Sequence, residues 1–184
     1  MKLENQYLLV EASEDGAEIT KIYNKEDGTD IIWEGNPEFW KRHSPVLFPN
    51  VGKTYKNKML INGEEYTTSQ HGFARDSVFE CVESTDSMVS FLLNSSEETK
   101  KKYPFDFKLF INYYLEGKEV KVEWKVENTG NETMYFTIGA HPAFRFAKKD
   151  EVKSDYILKF PGKDQLEYIL VDKELSLIHI SEPT

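Results

Sequence analysis

Between positions 119 and 127 apolar and charged residues alternate without a break, placing Val120, Val122, Trp124 and Val126 on one side and only Glu and Lys on the other. A period of two marks a strand half-buried in an antiparallel sheet. The stretch before it, 105–115, is rich in Phe, Tyr and Ile, and Glu116-Gly117-Lys118 joins the two as a hairpin. The same reading predicts strands at 7–12, 17–23, 78–82, 88–93, 134–139 and 156–160. Asp15-Gly16, Asp27-Gly28, Asn62-Gly63 and Thr129-Gly130 punctuate them with residues that tolerate positive φ. Only 37–43 reads as a helical turn. Many short strands set between turn signals predict an all-β chain, a sandwich or a barrel. The most polar stretches, 95–102 and 148–155, are expected in surface connections, with Lys100-Lys101-Lys102 a solvated turn in preference to a phosphate contact.

Composition narrows the class. A chain of 184 residues with 39 % hydrophobic and 14 % aromatic content is long and apolar enough for one domain with a sizeable core. Its net charge of -9 and pI near 5.0 argue against nucleic-acid or anionic-membrane partners, which call for surplus Lys and Arg. A small polar substrate fits better. Cys81 is the single cysteine, so no intrachain disulfide can form. The start Met1-Lys2-Leu3-Glu4-Asn5 lacks the apolar core of a signal peptide, and no apolar run approaches a membrane span. The expectation is a soluble, cytoplasmic protein.

Two histidines carry the candidate chemistry: His71 in His71-Gly72-Phe73-Ala74-Arg75, and His141 in Gly139-Ala140-His141-Pro142-Ala143-Phe144. Imidazole gives or takes a proton near neutral pH, and no Ser or Cys nucleophile signature accompanies either one. If the first segment is extended, His71, Phe73 and Arg75 share one side. An imidazole, a ring and a guanidinium would then line one pocket of the kind that suits a sugar. The competing reading makes His71 and Arg75 a structural pair bonding nearby backbone or carboxylates. Pro142 cannot donate to a ladder, so pairing is expected to fail there, leaving His141 at a sheet edge or cleft mouth. A buried histidine satisfied by backbone groups is an equally good account of that place. His43, beside Lys41 and Arg42, has a weaker claim. A jelly-roll metal site would want a His-x-His pair, which this chain does not contain.

Taken in register, several stretches resemble the aldose 1-epimerase (galactose mutarotase-like) family, within it the LacX-like branch and its hexose-6-phosphate mutarotase relatives. They are Asn24-Lys25-Glu26-Asp27-Gly28 with Ile32-Trp33; Pro45-Val46-Leu47-Phe48-Pro49-Asn50-Val51-Gly52-Lys53; His71-Gly72-Phe73-Ala74-Arg75; Tyr103-Pro104-Phe105; Val126-Glu127-Asn128; and Gly139-Ala140-His141-Pro142-Ala143-Phe144. The resemblance implies a large antiparallel β-supersandwich and interconversion of the α and β anomers of an aldose or aldose phosphate, with no cofactor. On that reading His141 is the general acid facing the ring oxygen, and His71 hydrogen-bonds the sugar and stabilises charge on the opening ring. Arg75 binds sugar hydroxyls or a phosphate. Lys53 stands where relatives often have Arg, keeping the charge without the bidentate fork. Phe73 supplies an apolar surface beside them. A non-catalytic carbohydrate-binding β-sandwich is the alternative.

The family's catalytic glutamate and a substrate-binding aspartate come from the C-terminal part of its domain, and Glu167 and Glu174 lie too early to match either. The last residues, Leu175-Ser176-Leu177-Ile178-His179-Ile180-Ser181-Glu182-Pro183-Thr184, look like the translation of a sequencing-library adapter. Residues 1–174 are therefore expected to form the N-terminal part of one such domain, incomplete at its C-terminus. Residues 175–184 are expected to be a non-native tail. A natural short C-terminus is the competing reading.

Overall fold

The computed structural model describes residues 1–146, 150–157, 159–162, 170–171 and 177–178. Four antiparallel strands open the chain: β1 Lys2–Glu4, β2 Leu8–Ala12, β3 Ile19–Asn24 and β4 Thr29–Asp30, hydrogen-bonded in that order. Then come the short β5 Val46–Leu47 and a hairpin of β6 Lys58–Ile61 with β7 Glu64–Thr67, turning at Asn62-Gly63, both with positive φ. A second four-stranded sheet follows, with β8 Glu80–Ser84, β9 Met88–Asn94, β10 Phe107–Glu116 and β11 Glu119–Asn128 lying side by side. The one α-helical turn among the described residues, α1 Glu97–Lys100, interrupts the β9–β10 connection and is closed by a capping box between Ser96 and Thr99. After it, β12 Gly139–Ala140 returns to pair with β5, and β13 Leu170–Val171 meets β14 Leu177–Ile178. The remaining positions of the adapter-like stretch lie outside the described residues.

The two large sheets face each other across the core. Alternation dictates which side chains fill it: Leu8, Val10 and Ala12 of β2, and Phe107, Leu109, Ile111, Tyr113 and Leu115 of β10, are all buried. Fully burying a side chain of this size contributes roughly 1.5–3 kcal/mol, so this row alone commits the sheets to one another. The Tyr113 hydroxyl donates to the Ala17 carbonyl across the gap at 2.7 Å, and the Glu4 N–H reaches the Asp86 carbonyl at 2.9 Å. Strand β11 pairs with β10 over its whole length, yet as the outermost strand it is less covered. Val122 is 45 % exposed, whereas Tyr113 opposite it is 2 % exposed.

The expected strands at 7–12, 17–23, 78–82 and 88–93 appear with small shifts at their ends. Two others differ. Residues 133–138 run beside 45–51 but bond to them only at intervals, as where the Thr137 N–H meets the Pro49 carbonyl at 2.9 Å, and the ladder proper is confined to Gly139–Ala140. At 156–160 the described residues form no strand, Leu158 lying outside them, and Lys153–Asp155 before them make a 3₁₀ turn. The helix expected at 37–43 is a turn around Asn36, whose side chain accepts from the Glu38 N–H at 3.0 Å and competes with helical bonding. Gly130 is absent from the positive-φ glycines, while Gly16, Gly28 and Gly63 adopt the conformation expected of them.

Candidate active site

His71 sits at the tip of a tight loop that the backbone folds back on itself. Its φ of 67° and the 70° of Gly72 are left-handed, a conformation most side chains avoid and glycine takes freely. Gly72 has no room for anything else: an added Cβ would lie 2.1 Å from the Phe48 carbonyl oxygen. That oxygen accepts from the N–H groups of both Phe73 and Ala74, at 3.0 and 3.1 Å. Gly52 brackets the histidine from the other side. Its carbonyl accepts the His71 N–H at 2.8 Å, and its own N–H donates to His71 Nδ1 at 2.9 Å. The buried Asn50 amide ties the two loops together, donating to the carbonyls of Gly52 and Ser69 at 3.0 and 3.1 Å.

This bonding sets the chemistry of the ring. A nitrogen that accepts a hydrogen bond carries no proton, so His71 is held neutral with its proton on Nε2. Burial lowers its pKa from the ordinary value, and the charges of Arg75 and then His141 push the same way. Nε2–H is thus left as the donor of a neutral ring.

His141 arrives from a different part of the chain and is held far less tightly. It follows β12 directly, its N–H donating to the Pro45 carbonyl at 3.1 Å, and its side chain is exposed. The β12 ladder ends at Ala140, just short of His141-Pro142, as expected. Separate backbone bonds continue beyond it, the Ala143 N–H to the His43 carbonyl at 2.8 Å and the Arg145 N–H to the Ile31 carbonyl at 2.8 Å. The His141 ring centroid lies 6.3 Å from that of His71 and 5.3 Å from the indole of Trp40. Sequence reasoning missed Trp40 and Asn50. The only available signals were a large aromatic stranded in a polar turn and an amide within a run of apolar residues.

The premise of an extended 71–75 segment is corrected. Left-handed residues 71 and 72 lead into a 3₁₀ turn, Ala74–Asp76, so the three side chains do not line one side. Phe73 points into the core, 7 % exposed, with its ring against Phe48 and Phe107 at 6.3 and 6.2 Å, and forms the floor beneath the loop. Tyr103 lies beside them, wholly buried, which makes Tyr103-Pro104-Phe105 a packing element. Arg75 folds back across the loop, Nη2 donating to the Gln70 carbonyl at 2.7 Å, while its buried Nε has no hydrogen-bond partner. Lys53 directly follows Gly52 and is half-buried.

His43 belongs to a neighbouring strut. The buried Glu18 carboxylate accepts the N–H groups of His43 and Ser44, and Arg42 bridges the Asp76 carboxylate and the Arg75 carbonyl. Glu18, Arg42, His43 and Asp76 line a cleft of about 480 Å³ that shares Arg75 with the histidine site. Among the described residues no group of three His, Cys, Asp or Glu side chains is placed to hold a metal ion. No described helix is long and apolar enough to cross a membrane.

Comparison with known proteins shows the family. The family model for aldose 1-epimerase matches residues 1–177. Protein LacX of Lactococcus lactis, in its plasmid form, is 34 % identical over 191 aligned positions, which take in all of this chain and 64 % of that relative. The chain thus spans somewhat less than two thirds of the relative's length. A galactose mutarotase related enzyme from Lactobacillus acidophilus superposes with a TM-score of 0.91 at 35 % identity, covering 97 % of this chain and 60 % of that one. A galactose mutarotase-like protein from Lactobacillus casei gives 0.78 at 37 %, over 82 % and 51 %. With a family match that runs through both histidine motifs and a fold shared with mutarotase-like structures, the chain belongs to the aldose 1-epimerase family, on its LacX-like side.

Proposed function

We propose that the His71–His141 site binds an aldose or aldose phosphate and contributes to interconversion of its α and β anomers in the cytoplasm. The observation that carries this reading is the convergence of two imidazoles from remote loops, 6.3 Å apart, one of them held in its neutral form by the Gly52 N–H. The roles then divide by environment. His71 offers a fixed Nε2–H to a sugar oxygen. Its neutrality also spares His141 a like charge nearby when His141 carries the proton that passes to the ring oxygen. As the C–O bond breaks, a base takes the C1 hydroxyl proton, the C1–C2 bond rotates, and closure on the other carbonyl face gives the other anomer. Every step is a proton transfer or a rotation, so no cofactor is called for. Arg75 and Lys53 supply cationic contacts for sugar hydroxyls or a phosphate.

The base in this reading is a carboxylate from a part of the family fold that this chain does not span, so the chain alone is proposed to lack appreciable mutarotase activity. Polarimetry on freshly dissolved α-D-glucose and α-D-galactose tests it. The expected rate equals the buffer control. A rate clearly above it, abolished by His141→Ala, would show that the chain carries its own base.

A further inference from the structure

Trp40 stands against His141, and neither its motif nor its packing requires a tryptophan. It ends the turn around Asn36, whose carbonyl accepts the N–H groups of Phe39 and Trp40 at 3.1 and 2.9 Å. The other tryptophan of the segment is fully committed: Trp33 Nε1 donates to the Trp40 carbonyl at 2.8 Å, and its ring meets Phe39 edge-on at 6.3 Å. This bracing fixes the Trp40 backbone from both sides. Trp40 itself is only half-buried, in a turn that also holds Glu38, Lys41, Arg42 and the more exposed Phe39, whose ring is already taken up by Trp33. Its one described ring neighbour is His141, at 5.3 Å and 52°. Leaving a large apolar face partly in water costs free energy that a smaller or polar residue in a surface turn would avoid.

We propose that Trp40 is a sugar-stacking residue of this site, its indole presenting an apolar platform to the C–H face of a pyranose whose ring oxygen faces His141. The proposal rests on the sugar-site reading above and deepens it. A pyranose has one face of axial C–H bonds that packs on an aromatic ring, and equatorial hydroxyls that need donors and acceptors at its edge. Trp40 supplies the first, and His71 Nε2–H with the Arg75 guanidinium supply the second. Because the platform adjoins the His141 imidazole, stacking also sets which sugar atom that ring faces. Trp40 therefore selects for pyranoses over open-chain polyols with the same number of carbons and oxygens.

Two measurements on this chain test it, with D-galactose, D-glucose and the polyol galactitol as probes. The first is calorimetry, where Trp40→Ala is expected to weaken sugar binding by about tenfold while Trp40→Phe, which keeps a flat ring, stays within about threefold. The second needs no variant: in a ¹H–¹⁵N spectrum the Trp40 indole N–H signal moves on sugar addition while that of Trp124 on β11 does not, and galactitol moves neither. If the sugars bind and shift His71 but leave Trp40 unmoved, or if Trp40→Ala binds as tightly as the parent, the stacking role is overturned and the sugar site survives. Should neither sugar bind the parent chain at tens of millimolar, the sugar-site reading fails and this inference with it.

Discussion

The two histidines face each other across the same site yet are held by opposite means. His71 is gripped by backbone groups, with Gly52 of a remote loop bonding both its N–H and its Nδ1, a positive φ, and a glycine beside it that tolerates no Cβ. His141 has one backbone bond, an aromatic neighbour and an exposed side chain. The contrast separates two requirements of acid/base catalysis. A group that only donates a hydrogen bond benefits from being locked in one tautomer, whereas a group that shuttles a proton must keep both protonation states accessible. Rigidity is concentrated where the charge stays fixed.

The contrast breaks most readily at Gly72. Gly72→Ala drives a methyl against the Phe48 carbonyl at positive φ, and is expected to cost about 3 kcal/mol or more in urea denaturation. A loss below about 1 kcal/mol would mean the loop is not rigid. Next comes His71→Ala, which leaves the buried Gly52 N–H without its acceptor and should cost about 1–3 kcal/mol by the same measurement.

A third test is pH. Because folding lowers the His71 pKa, the folded chain binds fewer protons there than the unfolded one. Stability from this group is complete above the ordinary value of 6.5 and is lost as the pH falls through it toward the folded value. The urea midpoint should therefore drop on acidification, and His71→Asn, which keeps an acceptor and tolerates positive φ, should flatten that drop. NMR titration of the His71 ring would sharpen the point by finding its midpoint below 6.5. The smallest effect belongs to His141→Ala, which should leave stability within about 0.5 kcal/mol. Equal losses at the two histidines would erase the distinction between them.

Much of the fold was legible because it is local. The β10–β11 hairpin, Phe107–Glu116 with Glu119–Asn128, follows from an unbroken period of two and a tight glycine turn. Strands of two to four residues, such as β1, β4, β5 and the β6–β7 pair, carry too few alternations to register, although Asn62-Gly63 marked the turn of that hairpin. The overcalled stretch at 134–139 has strand composition, but its neighbour at 45–51 supplies bonds only intermittently, which no local pattern reveals. In the site, the motifs picked out His71, His141 and Arg75. Phe73 was given to the pocket because an extended backbone was assumed, and the left-handed pair at 71–72 turns its ring into the core.

By itself, the sequence determined the all-β class, the face of each long strand that is buried, the acidic character and the two histidine motifs. These depend on residue type and on spacing within a few positions, where alternation and turn chemistry act directly. Only tertiary structure decided that His71 is a neutral donor, that Trp40 adjoins His141, and that Asn50 and Gly52 clamp the loop. Each of these depends on backbone groups brought together from remote stretches: Gly52 meeting His71, and residues 43–47 meeting 139–143. A tautomer, a shifted pKa and a ring-to-ring distance are properties of that meeting, and the unfolded chain has none of them.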